Sequence, residues 1–249
     1  MSLICIKYTI LRIYTPKKLS SLVILFYPHG LDQHLFEYEL APYPLSFIDA
    51  LEMRKTQKSA IYDCFQSVNS GVDTTNATYI IDGGYLLHHV VWERVETFNV
   101  IFEKYVQYLR RHYGHRVTVV FDGYSDSSKN IKAAEQRRRT TKTSSCSDII
   151  FDQFMTVPAN QQQFLANIHN ISRFISMLSD KLTTENIAVK QAQNHADVLI
   201  IETAIEQFNT PNTTVVVGED VDLLILLTAW TPIDKIIYFL KPGKGQQRT

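Results

Sequence analysis

The chain has 249 residues, 45% of them hydrophobic, with 25 basic and 25 acidic side chains and a formal net charge of zero. That balance excludes a uniformly basic glove for nucleic acid and a long acidic tail, and the length and apolar content are ample for a buried core. Three dispersed cysteines, Cys5, Cys64 and Cys146, lack CxxC or Cys/His spacing and argue for reduced thiols, against a disulfide framework or zinc site.

In chain order, Lys17 and Lys18 precede the apolar run 19–27. It is far shorter than the roughly 20 residues that span a bilayer. Pro28, His29 and Gly30 follow it instead of a small-residue cleavage site. The run reads as a buried element, and the expectation is an intracellular protein, nuclear or cytoplasmic, with no secretion and no membrane partner. The sequons at Asn76, Asn170 and Asn212 then read as chance. Residues 1–72 are expected to form an N-terminal extension whose Phe36, Tyr38, Tyr43, Phe47 and Ile48 pack on a main domain of residues 73–249.

From residue 73 short β-branched runs alternate with helical patterns. TYII at 78–81 reads as a strand, followed by Asp82-Gly83-Gly84 and a helix carrying Leu86, Leu87, Val90 and Val91. A second helix is predicted over 98–112, Gly114 punctuates, and VTVVF at 117–121 is a second strand ending in Asp122-Gly123. One long helix is predicted over 161–182 from Phe164, Leu165, Ile168, Ile171, Phe174, Ile175 and Leu178. A short strand at 187–189, a helix at 196–207, the strand TTVVV at 213–217, a helix at 223–227 opened by Asp222 and a strand at 235–239 complete the series. Apolar runs without alternation, separated by helices, are the pattern of strands covered on both faces. The predicted fold is α/β, a three-layer α/β/α sandwich around a mostly parallel central sheet of about five strands.

Asp82, Asp122 and Asp220 each stand at or just beyond the carboxyl end of a predicted strand. In a doubly wound sheet those ends meet at one crevice. Asp222 falls in the first turn of the helix that follows, where the helix dipole favours a carboxylate, and Asp197 opens another helix from the same edge. Any one of these residues alone is adequately explained as a helix cap; the joint pattern is what points to a site. Five carboxylates in one crevice repel one another unless a cation neutralises them, and hard oxygen donors select Mg²⁺ or Mn²⁺.

The segments TYIIDGGYLL, VTVVFDG with the following Lys129, HADVLI and VVVGEDVDLLILL together resemble the PIN-like nuclease fold in its flap-endonuclease/XPG branch. GEDVDLL resembles that family's T-E-D-x-D segment. The resemblance spans about two thirds of the chain, residues 78–239, and implies a metal-dependent nuclease that hydrolyses phosphodiester bonds in DNA or RNA. It carries metal-ligand and catalytic roles onto Asp82, Asp122, Asp197, Asp220 and Asp222, with two Mg²⁺ or Mn²⁺ ions roughly 4 Å apart and no small-molecule cofactor. Where the family has E-A-E-A, this chain has His195-Ala196-Asp197-Val198, and a further family acid downstream has no counterpart.

Between residues 124 and 145 six basic side chains face two acidic ones, a local excess of four positive charges. The family places a helical arch there, which implies substrate phosphate contacts for Lys129 and for Arg137, Arg138 and Arg139. His88 falls where the family has an aromatic that stacks on a base. The rival reading is a catalytically degenerate PIN-like module that binds nucleic acid or protein, favoured by His195 in place of an acid. A haloacid-dehalogenase-type phosphohydrolase wants a second Asp two residues after the first, where this chain has Gly84.

Overall fold

The computed structural model describes residues 2–5, 48–49, 52–53, 61, 62, 65, 67, 68, 72, 74, 76–124, 147–193, 195–207, 213–232 and 235–242. Most of the 1–72 extension and the basic segment with Lys129, Arg137, Arg138 and Arg139 lie outside them.

Five strands, β4 (Thr78–Asp82), β5 (Val117–Phe121), β6 (Ala188–Gln191), β7 (Thr214–Val217) and β8 (Ile237–Lys241), pair in parallel. The short strand β1 (Ser2–Cys5) adds antiparallel to β8, so the sheet runs β1-β8-β7-β4-β5-β6. A separate two-stranded ribbon pairs β2 (Ile48–Asp49) with β3 (Glu52–Met53). The described residues form six α-helices: α1 (Gly83–His89), α2 (Phe98–Tyr113), α3 (Gln161–Ala166), α4 (Ile168–Thr184), α5 (Ala196–Gln207) and α6 (Val221–Trp230). The molecule is a three-layer α/β/α sandwich, as the alternating pattern predicts.

The order of strands dictates which helices lie on which face. From β4 the chain steps through β5 to β6, then returns across β4 to place β7 and β8 on its other flank. Right-handed crossovers require the helices of the outward and returning halves to cover opposite faces. Strand residues accordingly divide by parity. Ile81, Val119, Phe121, Val215 and Val217 pack with α1, α2, α3 and α4, whereas Ile80, Val120, Val216 and Phe239 pack with α5 and α6.

The first face is dense in rings. Phe174 is fully buried, with its ring centroid 5.0 Å from Trp92, 5.2 Å from Phe102 and 5.8 Å from Tyr105. Phe98 stacks on Phe151 at 4.1 Å. Trp92 Nε1 donates to the Tyr105 hydroxyl at 3.2 Å, which donates in turn to the Leu87 carbonyl at 2.9 Å. The fully buried Tyr105 phenol thereby has both its donor and acceptor needs met.

The helix predicted over 161–182 is two helices. Asn167 has extended backbone and its Oδ1 accepts from the N–H groups of His169 and Asn170. An N-cap thus interrupts an apolar periodicity that runs on through it. Asn170 is fully buried; its Oδ1 accepts from Ile149 N–H at 2.8 Å and its Nδ2 donates to the Ser147 carbonyl at 3.1 Å. Its sequon is a structural side chain in this fold. Among the described residues no helix is long and apolar enough to cross a membrane.

Candidate active site at the carboxyl edge of the sheet

β4 is the strand at which the chain reverses its direction of travel, and the crevice beyond its carboxyl end is where ligands bind in such sheets. Asp82 is its last residue. The register pairs Ile81 with Val217 and Asp82 with Val120, which sets Gly218 opposite Asp82 and Asp122 two residues further along β5. A Cβ built on Gly218 would lie 3.6 Å from the Asp82 Cβ, so the β7 turn passes against the base of this side chain.

Parity assigns direction. Asp82 continues the Ile80 face and Asp122 the Val120 face, the side covered by α5. Asp122 Oδ1 accepts the Ala196 N–H at 2.7 Å, tying the end of β5 to the first residue of α5, and Asp197 follows in that helix's first turn. Asp82, Asp122 and Asp197 thus come together electrostatically. Burial first, then the charges of Asp122 and Asp197, push the Asp82 carboxyl up to about 6, against the pull of the Gly84 N–H.

Each acid also serves a helix. Asp82 Oδ1 accepts from Gly84 N–H at 2.8 Å and caps α1; Asp220 Oδ1 accepts from Asp222 N–H at 3.0 Å and caps α6. Asp222 lies in the first turn of α6, and both it and Asp220 are exposed. Three helix N-termini therefore point toward the carboxyl edge, and their dipoles offset part of the repulsion between the acids. Among the described residues no group of three or more His, Cys, Asp or Glu is drawn close enough to hold an ion. Unneutralised carboxylates repel, and Asp82, Asp122 and Asp220 each have a backbone N–H to turn to. As a donor set they are all hard oxygen ligands, the kind that suits Mg²⁺ or Mn²⁺.

The position two residues after Asp82 is filled by backbone: Gly84 supplies the capping N–H, and a Cβ there would approach Asp82 Oδ1 to 3.2 Å. His88 is exposed on the last turn of α1. Its neighbour His89 is the histidine within reach of Glu219, with its ring 4.8 Å from Tyr85 and 5.4 Å from Tyr108. His195, where the resembling family has an acid, is exposed just before α5.

Three further residues border the crevice. Tyr124 stands two residues beyond Asp122, and burial together with the charges of Asp122 and Asp82 pushes its phenol upward. Tyr62 donates its hydroxyl to the Glu219 carbonyl at 2.8 Å; burial, Asp220 and Glu219 raise its pKa to about 12. Lys241, at the end of β8, places its ammonium 3.4 Å from the centre of the Tyr62 ring.

Gly123 is the tight point of the assembly. A Cβ there would run into the carbonyl oxygens of Ala192 and Gln193, which are backbone and cannot swing aside. Gly123→Ala is therefore expected to force apart the end of β5 and the approach to α5, costing about 2 kcal/mol. Guanidinium denaturation of the variant measures this, and a loss under a few tenths of a kcal/mol would show that the approach is not rigid.

No family model, curated protein or solved structure matches the chain.

Proposed function

We propose that the chain is a metal-dependent nuclease that hydrolyses phosphodiester bonds in DNA or RNA. The observation that carries this reading is the convergence at one sheet edge of Asp82, Asp122 and Asp197, with Asp220 and Asp222 just beyond the end of the strand that flanks Asp82 across the reversal point. The resemblance of the same segments to the flap-endonuclease/XPG branch of PIN-like nucleases supports it.

Asp82, Asp122 and Asp197 would hold one Mg²⁺ or Mn²⁺ ion, and Asp220 and Asp222 would contribute to a second. Such an ion supplies Lewis acidity, toward water as nucleophile and toward the phosphate oxygens. The protein's part is to fix carboxylates at strand ends and in helix first turns, with backbone N–H bonds orienting Asp82, Asp122 and Asp220 before substrate arrives. By sequence position, Lys129 and Arg137, Arg138 and Arg139 would neutralise the charge that builds on the phosphate in the transition state.

A second reading has one observation in its favour. Asp82, Asp122 and Asp220 each accept a backbone N–H at a helix start, a role that a non-catalytic interaction module would retain for folding alone. The two readings part in a cleavage assay on labelled flap, hairpin and single-stranded substrates with Mn²⁺. The double variant Asp220→Asn, Asp222→Asn keeps the capping oxygen of residue 220, so it is expected to fold and to lose cleavage. Equal cleavage by the double variant and the wild type would overturn the nuclease assignment; no cleavage by either, with no Mn²⁺-dependent rise in Tm, would favour the interaction module.

A further inference from the structure

The lysines of the described residues mostly have carboxylate partners. Lys104 pairs with Glu93 and Glu96, Lys181 with Glu103 and Glu185, and Lys190 with Glu206. Lys241 is seated differently, with its ammonium on the face of an aromatic ring. A cation held by a π-face keeps its full charge and its N–H donors on the side away from the ring.

Its position is set by the sheet. Val217 pairs with Leu240, and Gly218 N–H donates to the Leu240 carbonyl at 3.3 Å, so Lys241 leaves β8 beside the Gly218-Glu219-Asp220 turn. The ring beneath it belongs to Tyr62, whose hydroxyl holds the Glu219 carbonyl of that same turn. One phenol thus joins the ammonium to the loop that carries Asp220 and leads into the helix turn of Asp222. Tyr62 packs against the core formed with α5 and α6, which fixes the platform.

We propose that Lys241, seated on Tyr62, binds a backbone phosphate of the nucleic-acid strand at the margin of the acid site. This rests on the nucleic-acid reading above and adds to it a cation outside the basic segment 124–145. A strand lying along an acidic edge needs positive charge there to offset repulsion between its phosphates and the exposed Glu219 and Asp220.

The test is the salt dependence of binding. A fluorescein-labelled single strand of about 12 nucleotides is titrated with the full chain in Ca²⁺ across a KCl series, following anisotropy, with Mn²⁺ cleavage scored separately. Lys241→Gln is expected to weaken binding and to reduce the slope of log K against log salt by about 0.7, one single-strand phosphate contact. Lys241→Arg, which preserves charge and ring stacking, should restore the slope, and Lys104→Gln should leave it unchanged. An unchanged slope in Lys241→Gln alongside normal cleavage overturns the Lys241 assignment and spares the nuclease reading. Binding with the reduced slope but no cleavage in the wild type spares Lys241 and removes the nuclease. A wild type that does not bind the strand overturns both.

Discussion

Asp82→Asn is expected to abolish Mn²⁺-dependent cleavage and, in EDTA near pH 7.5, to make the protein more stable than the wild type. Both effects come from one largely buried carboxylate held near Asp122 and Asp197, whose burial and neighbouring charges raise its pKa from the ordinary carboxylate range near 3.8 to about 6. Below about pH 4 the group is protonated in both the folded and the unfolded chain, and its neutral form costs the fold nothing. As pH rises through 6 the folded chain must carry the charge, while the unfolded chain has carried it since pH 4. The unfolded state therefore binds fewer protons in that window, and stability falls as pH rises. A shift of this size is worth about 3 kcal/mol.

Asparagine keeps the oxygen that accepts the Gly84 N–H and lacks the charge. The variant should gain up to about 3 kcal/mol over the wild type near pH 7.5 and nothing near pH 4. Saturating Mn²⁺ should reverse the order, because only the wild type gains the binding free energy, about 4.1 kcal/mol at a thousandfold excess over Kd. Chemical denaturation at both pH values, with and without Mn²⁺, measures all four states. A wild-type stability that stays flat between pH 4 and 7 would refute the electrostatic account of the site.

The second large effect lies away from the chemistry. Phe174→Ala removes a fully buried ring that meets Trp92, Phe98, Phe102, Tyr105 and Phe164. Rings packed on so many sides cannot collapse into the space left, so the loss should be about 4 kcal/mol, with Tm lower by roughly 12 °C. The carboxylates face α5 on the other side of the sheet, so cleavage per folded molecule at low temperature should be nearly unchanged. Thermal melts beside initial cleavage rates test both halves. A variant that keeps its Tm would mean the ring cluster is loosely packed.

The central strands were legible in the sequence because β4, β5 and β7 are covered on both faces and so appear as unbroken apolar runs. The aspartates could be placed for the same reason, since a strand end is sharp where an apolar run meets a carboxylate. β6 has no buried residue in AVKQ, and its span at 188–191 starts one residue later and extends two further than the periodicity suggests. The division at Asn167 was hidden because a capping side chain leaves no mark on the spacing of Ile168, Ile171 and Phe174. β1 is four residues at the sheet margin, too short to carry a pattern. Tyr62 could not have been connected to Glu219 from 157 residues away, because a single hydroxyl on a carbonyl has no periodicity. Lys241 was hidden likewise, since only the register of β8 against β7 reveals its neighbours.

The chain's return across β4 also orders events in time. While synthesis has reached β6 but not β7, β4 has β5 on one flank and an open row of N–H and C=O groups on the other, on a strand made of Tyr79, Ile80 and Ile81. Such a half-sheet is a template for pairing with other chains. It also holds Asp82 and Asp122 without Asp220 or Asp222, so the nascent chain lacks the last two of its five acids. Insertion of β7 closes that edge and delivers the last carboxylates in one step, and the catalytic competence proposed for this protein would arrive only with the loss of its stickiest intermediate.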